Sequence, residues 1–282
     1  MVSKKSKIII GLIAVGLVAI WFFSVYSKNT PPIFEGTLGD AINNAEPGDT
    51  IYIPEGEYYE NITINMLGKP LTIEGAGSDK TNLHFSDVCG ILAQGCGTLT
   101  FKNLSMENNN SYYGAICLET RGTKTILSNV HFYSTPIGVA LYNYCDESEI
   151  TYCDFSDMED DGILIYDSDD GLISHCNFQN SHSDIEFCIV DQLQNWNITN
   201  CTSSGISRLI TVFKIENSIL NTSPTGVSYS IQHGGTTITN STLNAVKFYF
   251  ITNDDTSHLY LHCDTGGYYS DNPERITVIP CE

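Results

Sequence analysis

The sequence predicts an all-β solenoid: a parallel β-helix of about nine to ten coils with three strands per coil. A short N-terminal capping helix and an N-terminal transmembrane helix precede it. Three observations predict this. First, one phrase recurs: Phe101-Lys-Asn103-Leu104, Leu127-Ser-Asn129-Val130, Ile150-Thr-Tyr152-Cys153, Ile173-Ser-His175-Cys176, Ile198-Thr-Asn200-Cys201, Ile215-Glu-Asn217-Ser218 and Ile238-Thr-Asn240-Ser241. Most steps are 23 to 26 residues, with one of 17. Second, a glycine-led phrase falls midway: Gly114-Ala-Ile-Cys-Leu118, Gly138-Val-Ala-Leu-Tyr142, Gly162-Ile-Leu-Ile-Tyr166 and Gly226-Val-Ser-Tyr-Ser230. Third, the segments are short, alternating and rich in Ile, Val, Thr, Tyr and Phe, the pattern of strands rather than helices.

The elements follow in chain order. Lys4, Lys5 and Lys7 precede an uncharged run over residues 8–27. Twenty residues of helix reach roughly 30 Å, one bilayer core. The lysines place the N-terminus inside and the body outside. A cleaved secretory signal, cut near Val25-Tyr26-Ser27, is the rival reading. Residues 1–28 thus form a cytoplasmic stub and signal-anchor, 29–36 a linker and 37–282 the β-helix domain. Leu38, Ala41, Ile42 and Ala45 space one apolar face of a capping helix. Pro47-Gly48-Asp49 then turns the chain into Thr50-Ile-Tyr-Ile53, the first strand.

In stacked coils each position forms a column, with rungs about 4.8 Å apart. The bend column reads Asn103, Asn129, Tyr152, His175, Asn200, Asn217, Asn240; asparagine tolerates a left-handed bend, and its amides can bond along the stack. The next column holds Cys153, Cys176 and Cys201, read as buried free thiols with a disulfide as rival. Cys89 with Cys96, and Cys263 with Cys281, are the better disulfide candidates for an exported chain.

The chain carries 33 acidic and 13 basic residues, a net charge of −20. A polyanion would be repelled, which argues against nucleic acid. Cations and neutral or cationic partners remain. Seven Asn-x-Ser/Thr sequons occur, at Asn61, Asn103, Asn109, Asn197, Asn200, Asn221 and Asn240; those in the bend column are expected to be packed, and the others open to glycosylation.

Strict alternation places Ile163, Ile165, Ile185 and Phe187 inward, hence Leu164, Tyr166, Asp184, Glu186 and Cys188 outward. A backward extension of the strand puts His182 on that face, with Asp160 and Asp161 entering from the preceding loop. Crowded carboxylates bind a hard cation or raise one another's pKa. The metal set is therefore Asp160, Asp161, Asp184 and Glu186, with Ca²⁺ as the cation. Tyr142 and Tyr166 stack in one outward column, with Tyr112 and Tyr113 nearby. Together with His182 these aromatics form the expected substrate-binding strip for a polysaccharide or glycan.

The stretch "DAINNAEPGDTIYIPEGEYYENITI" resembles the opening of the pectin-lyase-like superfamily of right-handed parallel β-helices. With the repeats, the resemblance covers roughly residues 36 to 282. It implies a cleft over the outward face of the strand after the glycine. Pectate lyases hold Ca²⁺ with outward Asp and Glu there and use an Arg as base. Asp184-x-Glu186 is similar to part of that set, and Arg208 lies one coil on. The implied catalytic residues are Asp184, Glu186, Asp161 and Arg208. Leu164 and Tyr166 stand where carboxylates would be expected. Tyr58-Tyr59-Glu60 is similar to an opening motif of pectin methylesterases, without their downstream motifs. Two readings result: a membrane-anchored extracytoplasmic protein that binds or processes a glycan, by lyase or hydrolase chemistry if enzymatic, or a non-catalytic structural or adhesive rod.

Overall fold

The computed structural model describes residues 36–65, 68–95, 97–112, 114–188, 195–203, 206–207, 209–210, 213–221, 229–233, 235–250, 258–262 and 264–280. The expected membrane segment 8–27, Tyr113, Arg208, Cys96, Cys263 and Cys281 lie outside these residues. Among the described residues no helix is long and apolar enough to cross a membrane.

Helix α1, Leu38–Asn44, begins where Thr37 Oγ1 accepts the Asp40 N–H at 3.0 Å, an N-cap that satisfies one orphan donor. Glu60 accepts from the Leu38 and Gly39 N–H groups as well. Its carboxylate thus sits against the helix N-terminus, where negative charge is favoured. Leu38 and Ile42 are buried, and Ala41 and Ala45 pack against the same core. The spacing of these four residues was therefore a sound guide to the face.

Among the described residues the rest is strand and turn, apart from one 3-10 turn at Pro273–Arg275. All the pairings are parallel and run coil over coil. Seven strands form one sheet: Ile62–Asn65, Cys89–Gln94, Ile116–Arg121, Ile137–Tyr142, Asp161–Tyr166, Ser183–Cys188 and Ile206–Ser207, numbered β1 to β7 in chain order. The other strands join a 21-stranded sheet. Within it Thr98–Asn108 bends at Asn103, and Lys124–Thr135 bends at Asn129 and again at Ser134 near its end.

The bend column has φ between 50° and 55° at Asn103, Asn129, Tyr152, His175, Asn200, Asn217 and Asn240. This left-handed region suits Asn because its short amide bonds locally. Asn129 Nδ2 donates to Asn103 Oδ1 at 2.9 Å, and Asn103 Nδ2 donates to Glu74 Oε1 at 3.2 Å. Tyr152 and His175 replace that amide ladder with a ring stack at 4.6 Å.

Inside, Phe132, Phe155 and Phe178 stack with centroids 5.1 and 4.9 Å apart and planes nearly parallel. Cys153, Cys176 and Cys201 are buried free thiols in neighbouring coils. Burial pushes the Cys176 thiol up, and the contact with Cys176 does the same to Cys201. They act as small core residues, inert as nucleophiles. Cys89 is also a free thiol.

Candidate functional site

The outward face of β2–β6 carries the chemistry. Register places Leu92, Glu119, Ala140, Leu164 and Glu186 in one column, and Gln94, Arg121, Tyr142, Tyr166 and Cys188 in the next. Ile116, Ile137 and Ala140 form an apolar cluster separate from the main core, with Tyr142 and Leu164 packed against it. This cluster is the floor of the face.

Alternation succeeds for Leu164, Tyr166, Glu186 and Cys188 and fails for Asp184. A Cβ built on Gly162 would meet Phe178 Cδ1 at 3.0 Å, and one on Gly138 would meet Phe155 Cδ1 at 3.1 Å. The glycine column therefore points inward, as does the residue after it: Val139, Ile163 and Ile185 are fully buried in the core. Two successive inward positions break the period of two. Asp184 stands opposite Gly162 in the ladder, between the pairs Asp161↔Ser183 and Ile163↔Ile185. It is 1% exposed, and its Oδ2 accepts from Ser203 Oγ at 2.9 Å. The expectation that Asp184 faces outward as catalyst and metal ligand is thus corrected by the bend.

The same bend turns Asp161 and Ser183 outward. Asp161 is 2% exposed and hydrogen-bonds with Ser183 and Glu186. Its carboxyl is pushed up to about 8, by burial first, then by the charges of Glu186 and Asp160. Desolvation and a like charge both disfavour the ionised form. Oδ1 of Asp161 has no hydrogen-bond partner. Asp160 is half-buried beside it, while His182 is exposed just before β6.

Tyr142 and Tyr166 are half-buried neighbours with centroids 5.9 Å apart. Tyr112 is exposed on its loop. Sequence reasoning missed Glu119, Arg121 and Cys188 as site residues. Arg121 Nε donates to Glu119 Oε1 at 2.5 Å, and its guanidinium lies 5.8 Å from the Tyr142 ring centroid. Cys188 Sγ donates to Glu186 Oε1 at 3.5 Å. The coil register was the signal that could have found them: Glu119 and Arg121 precede Ala140 and Tyr142 by one rung.

The donor set does not fit Ca²⁺. Asp184 is turned into the core and accepts from Ser203, and Asp161 is buried beneath Glu186. The remaining oxygens fall short of the six to eight that Ca²⁺ takes. Among the described residues no group of three or more His, Cys, Asp or Glu side chains is arranged to hold a metal.

A second polar strip lies on the other sheet. His84 Nδ1 meets Glu107 Oε1 at 2.5 Å, and its Nε2 contacts Glu57. Tyr59 stacks on the imidazole with centroids 4.5 Å apart. Burial pulls the His84 pKa down, but hydrogen bonds to Glu57 and Glu107 outweigh it and the net shift is upward.

Residues 71–207 match a family model described as a right handed beta helix region. No curated protein matches the sequence. Among solved structures, the catalytic unit of a thermostable GH87 alpha-1,3-glucanase from Streptomyces thermodiastaticus is similar with TM-score 0.66 and 14% identity, over 90% of this chain and 57% of that one. Pectin methylesterase from carrot is similar with TM-score 0.53 and 12% identity, over 87% and 84%. Pectin methylesterase from Erwinia chrysanthemi gives 0.51 and 14%, over 86% and 87%. The chain spans little more than half of the glucanase unit. The body of the chain is a right-handed parallel β-helix of the pectin-lyase-like fold. At these identities the likeness carries the fold and leaves the activity unassigned.

Proposed function

We propose that this chain is a membrane-anchored, extracytoplasmic β-helix protein that binds or processes a polysaccharide on the outward face of β2–β6. Residues 8–27 would enter the bilayer and 29–36 would link them to a body of about nine to ten coils. The carrying observation is the Asp161–Glu186 carboxyl pair on the same face as the adjacent Tyr142 and Tyr166 rings. Aromatic rings offer apolar faces to sugar rings, and the polar groups fix orientation. The carbohydrate-active neighbours support a glycan as the partner.

Asp161, whose carboxyl is pushed up by burial and then by the Glu186 and Asp160 charges, is suited to hold a proton for transfer beside Glu186. Yet the two are within hydrogen-bonding reach of each other. The two carboxyls of a glycosidase stand about 5–5.5 Å apart when retaining and about 6.5–9.5 Å when inverting. This contact favours binding, or a single proton transfer, over two-carboxyl hydrolysis. The test is a glycan array probed with the full chain and with Tyr142→Ala/Tyr166→Ala. Loss of a defined glycan signal in the double variant, with an unchanged melting curve, is expected. An array blank for the parent chain would remove the reading.

A further inference from the structure

The charge around the tyrosine pair narrows the kind of glycan, on the premise that the glycan reading holds. Strand β5 enters through Asp160 and Asp161 and leaves through Asp167, Asp169 and Asp170. The loop that follows Tyr142 adds Asp146. Tyr166 and Leu164 thus lie between two acidic borders about 17 Å apart, the length of such a strand. The far border is mutually repulsive. The Asp169 carboxyl is pushed up by burial, then by Asp146, Asp170 and Asp167.

The cations nearby are engaged. Among the described residues of β2–β6 the one cationic side chain is Arg121, held by Glu119 at 2.5 Å. Lys124 reaches Glu147 at 3.7 Å and Glu149 at 3.4 Å. An incoming polyuronate would therefore meet like charge along its length.

A second observation is independent of the charge count. Asp161 is 2% exposed, and its Oδ1 lacks a hydrogen-bond donor. A buried acceptor without a donor is costly, and a hydrogen-bond donor brought in beside Glu186 would relieve it. Asp161 is bonded to half-exposed Glu186, so the pair is reached from the Glu186 carboxylate. We propose that the polymer taken by this face is an amino-sugar glycan, its protonated amines on the Asp161–Glu186 pair and the acidic borders, its ring faces on Tyr142 and Tyr166. An N-acetylated version of the same backbone would keep the ring contacts and lose the charge.

The experiment is calorimetric titration of the full chain in mild detergent near pH 6, with hexasaccharides of glucosamine, N-acetylglucosamine and galacturonic acid. Hexalysine serves as a charge-only control. Glucosamine hexamer is expected to bind at least about tenfold tighter than its acetylated counterpart. That preference should shrink as salt rises from about 50 to 300 mM, as screening requires. Galacturonate and hexalysine should not match it. Glu186→Gln should lower affinity for the glucosamine hexamer about fivefold or more and for the acetylated one by clearly less, so that the preference between them shrinks. Asp160→Asn should do the same more weakly, and keeps the test open if Glu186→Gln unfolds. Equal or tighter binding of the acetylated hexamer, galacturonate or hexalysine would overturn the amino-sugar assignment. In the two saccharide cases glycan binding would survive. No binding by any saccharide here, with the array blank as well, would overturn both.

Discussion

Two stretches of the same solenoid solve one packing problem differently. In the earlier coils an inward glycine makes room for an inward phenylalanine: Gly138 lies against Phe155, and Gly162 against Phe178. One coil later the glycine position holds Asp184 and the phenylalanine position holds Ser203. Volume moves from one column to the other, and the apolar contact becomes the Asp184–Ser203 hydrogen bond. Tyr229, from a later coil, covers the pair and donates to the Ser203 carbonyl at 2.9 Å. The difference teaches that a carboxylate in this repeat is not outward by default. Asp161 and Asp184 lie one coil apart and face opposite sides of one sheet.

The comparison can be broken at either end. Phe155→Ala removes the middle ring of a three-ring stack and should cost about 3–5 kcal/mol, read by urea unfolding of the full chain. Next, Gly162→Ala places a Cβ 2.7 Å from the Asp184 carbonyl oxygen. Overpacking of that kind costs about 1–3 kcal/mol. The polar coil should respond as a pair. Ser203→Phe alone clashes with Asp184, whereas Ser203→Phe with Asp184→Gly rebuilds the earlier arrangement. The double variant should be more stable than Ser203→Phe by more than about 1 kcal/mol, a coupling readable in a double-mutant cycle.

Smaller effects come from titration. Asp161 has its folded pKa raised to about 8, against about 3.9 unfolded. Its folded form therefore holds a proton that the unfolded chain has released. The penalty is absent below about pH 4, grows through the interval, and is complete above about pH 8. Asp161→Asn should remove this slope, so that its advantage in melting temperature over the parent widens from pH 4 to 8. The smallest change is expected at His84. Its folded pKa is raised, so its stabilisation is full below about 6.5 and is lost as pH rises through the folded value. Hydrogen exchange of the strand Gly56–Tyr59 should accelerate over that rise beyond the intrinsic pH trend, and His84→Gln should abolish the excess.

Much of the fold was legible because stacking makes each coil repeat its constraints. The Asn bends had to recur where φ is positive, and Cys153, Cys176 and Cys201 had to stay small inside a column. The face was legible in part. Tyr142, Tyr166 and Glu186 obey alternation because they follow the bend. Asp184 precedes it, where two inward residues come in a row, and a period of two cannot register that. Glu119 and Arg121 were overlooked because their coil was read for its core residues, although their rung position equals that of Ala140 and Tyr142. The Glu57–His84–Glu107 strip is invisible to local pattern, since its members meet only across three coils.

The most direct measurement is glycan affinity of the full chain carrying Asp161→Asn or Asp184→Asn, each titrated alongside its melting curve. The account expects Asp161→Asn to change affinity while melting at or above the parent at neutral pH. It expects Asp184→Asn to melt lower with affinity unchanged while folded. Weakened binding in Asp184→Asn at full stability, with Asp161→Asn silent, would contradict it.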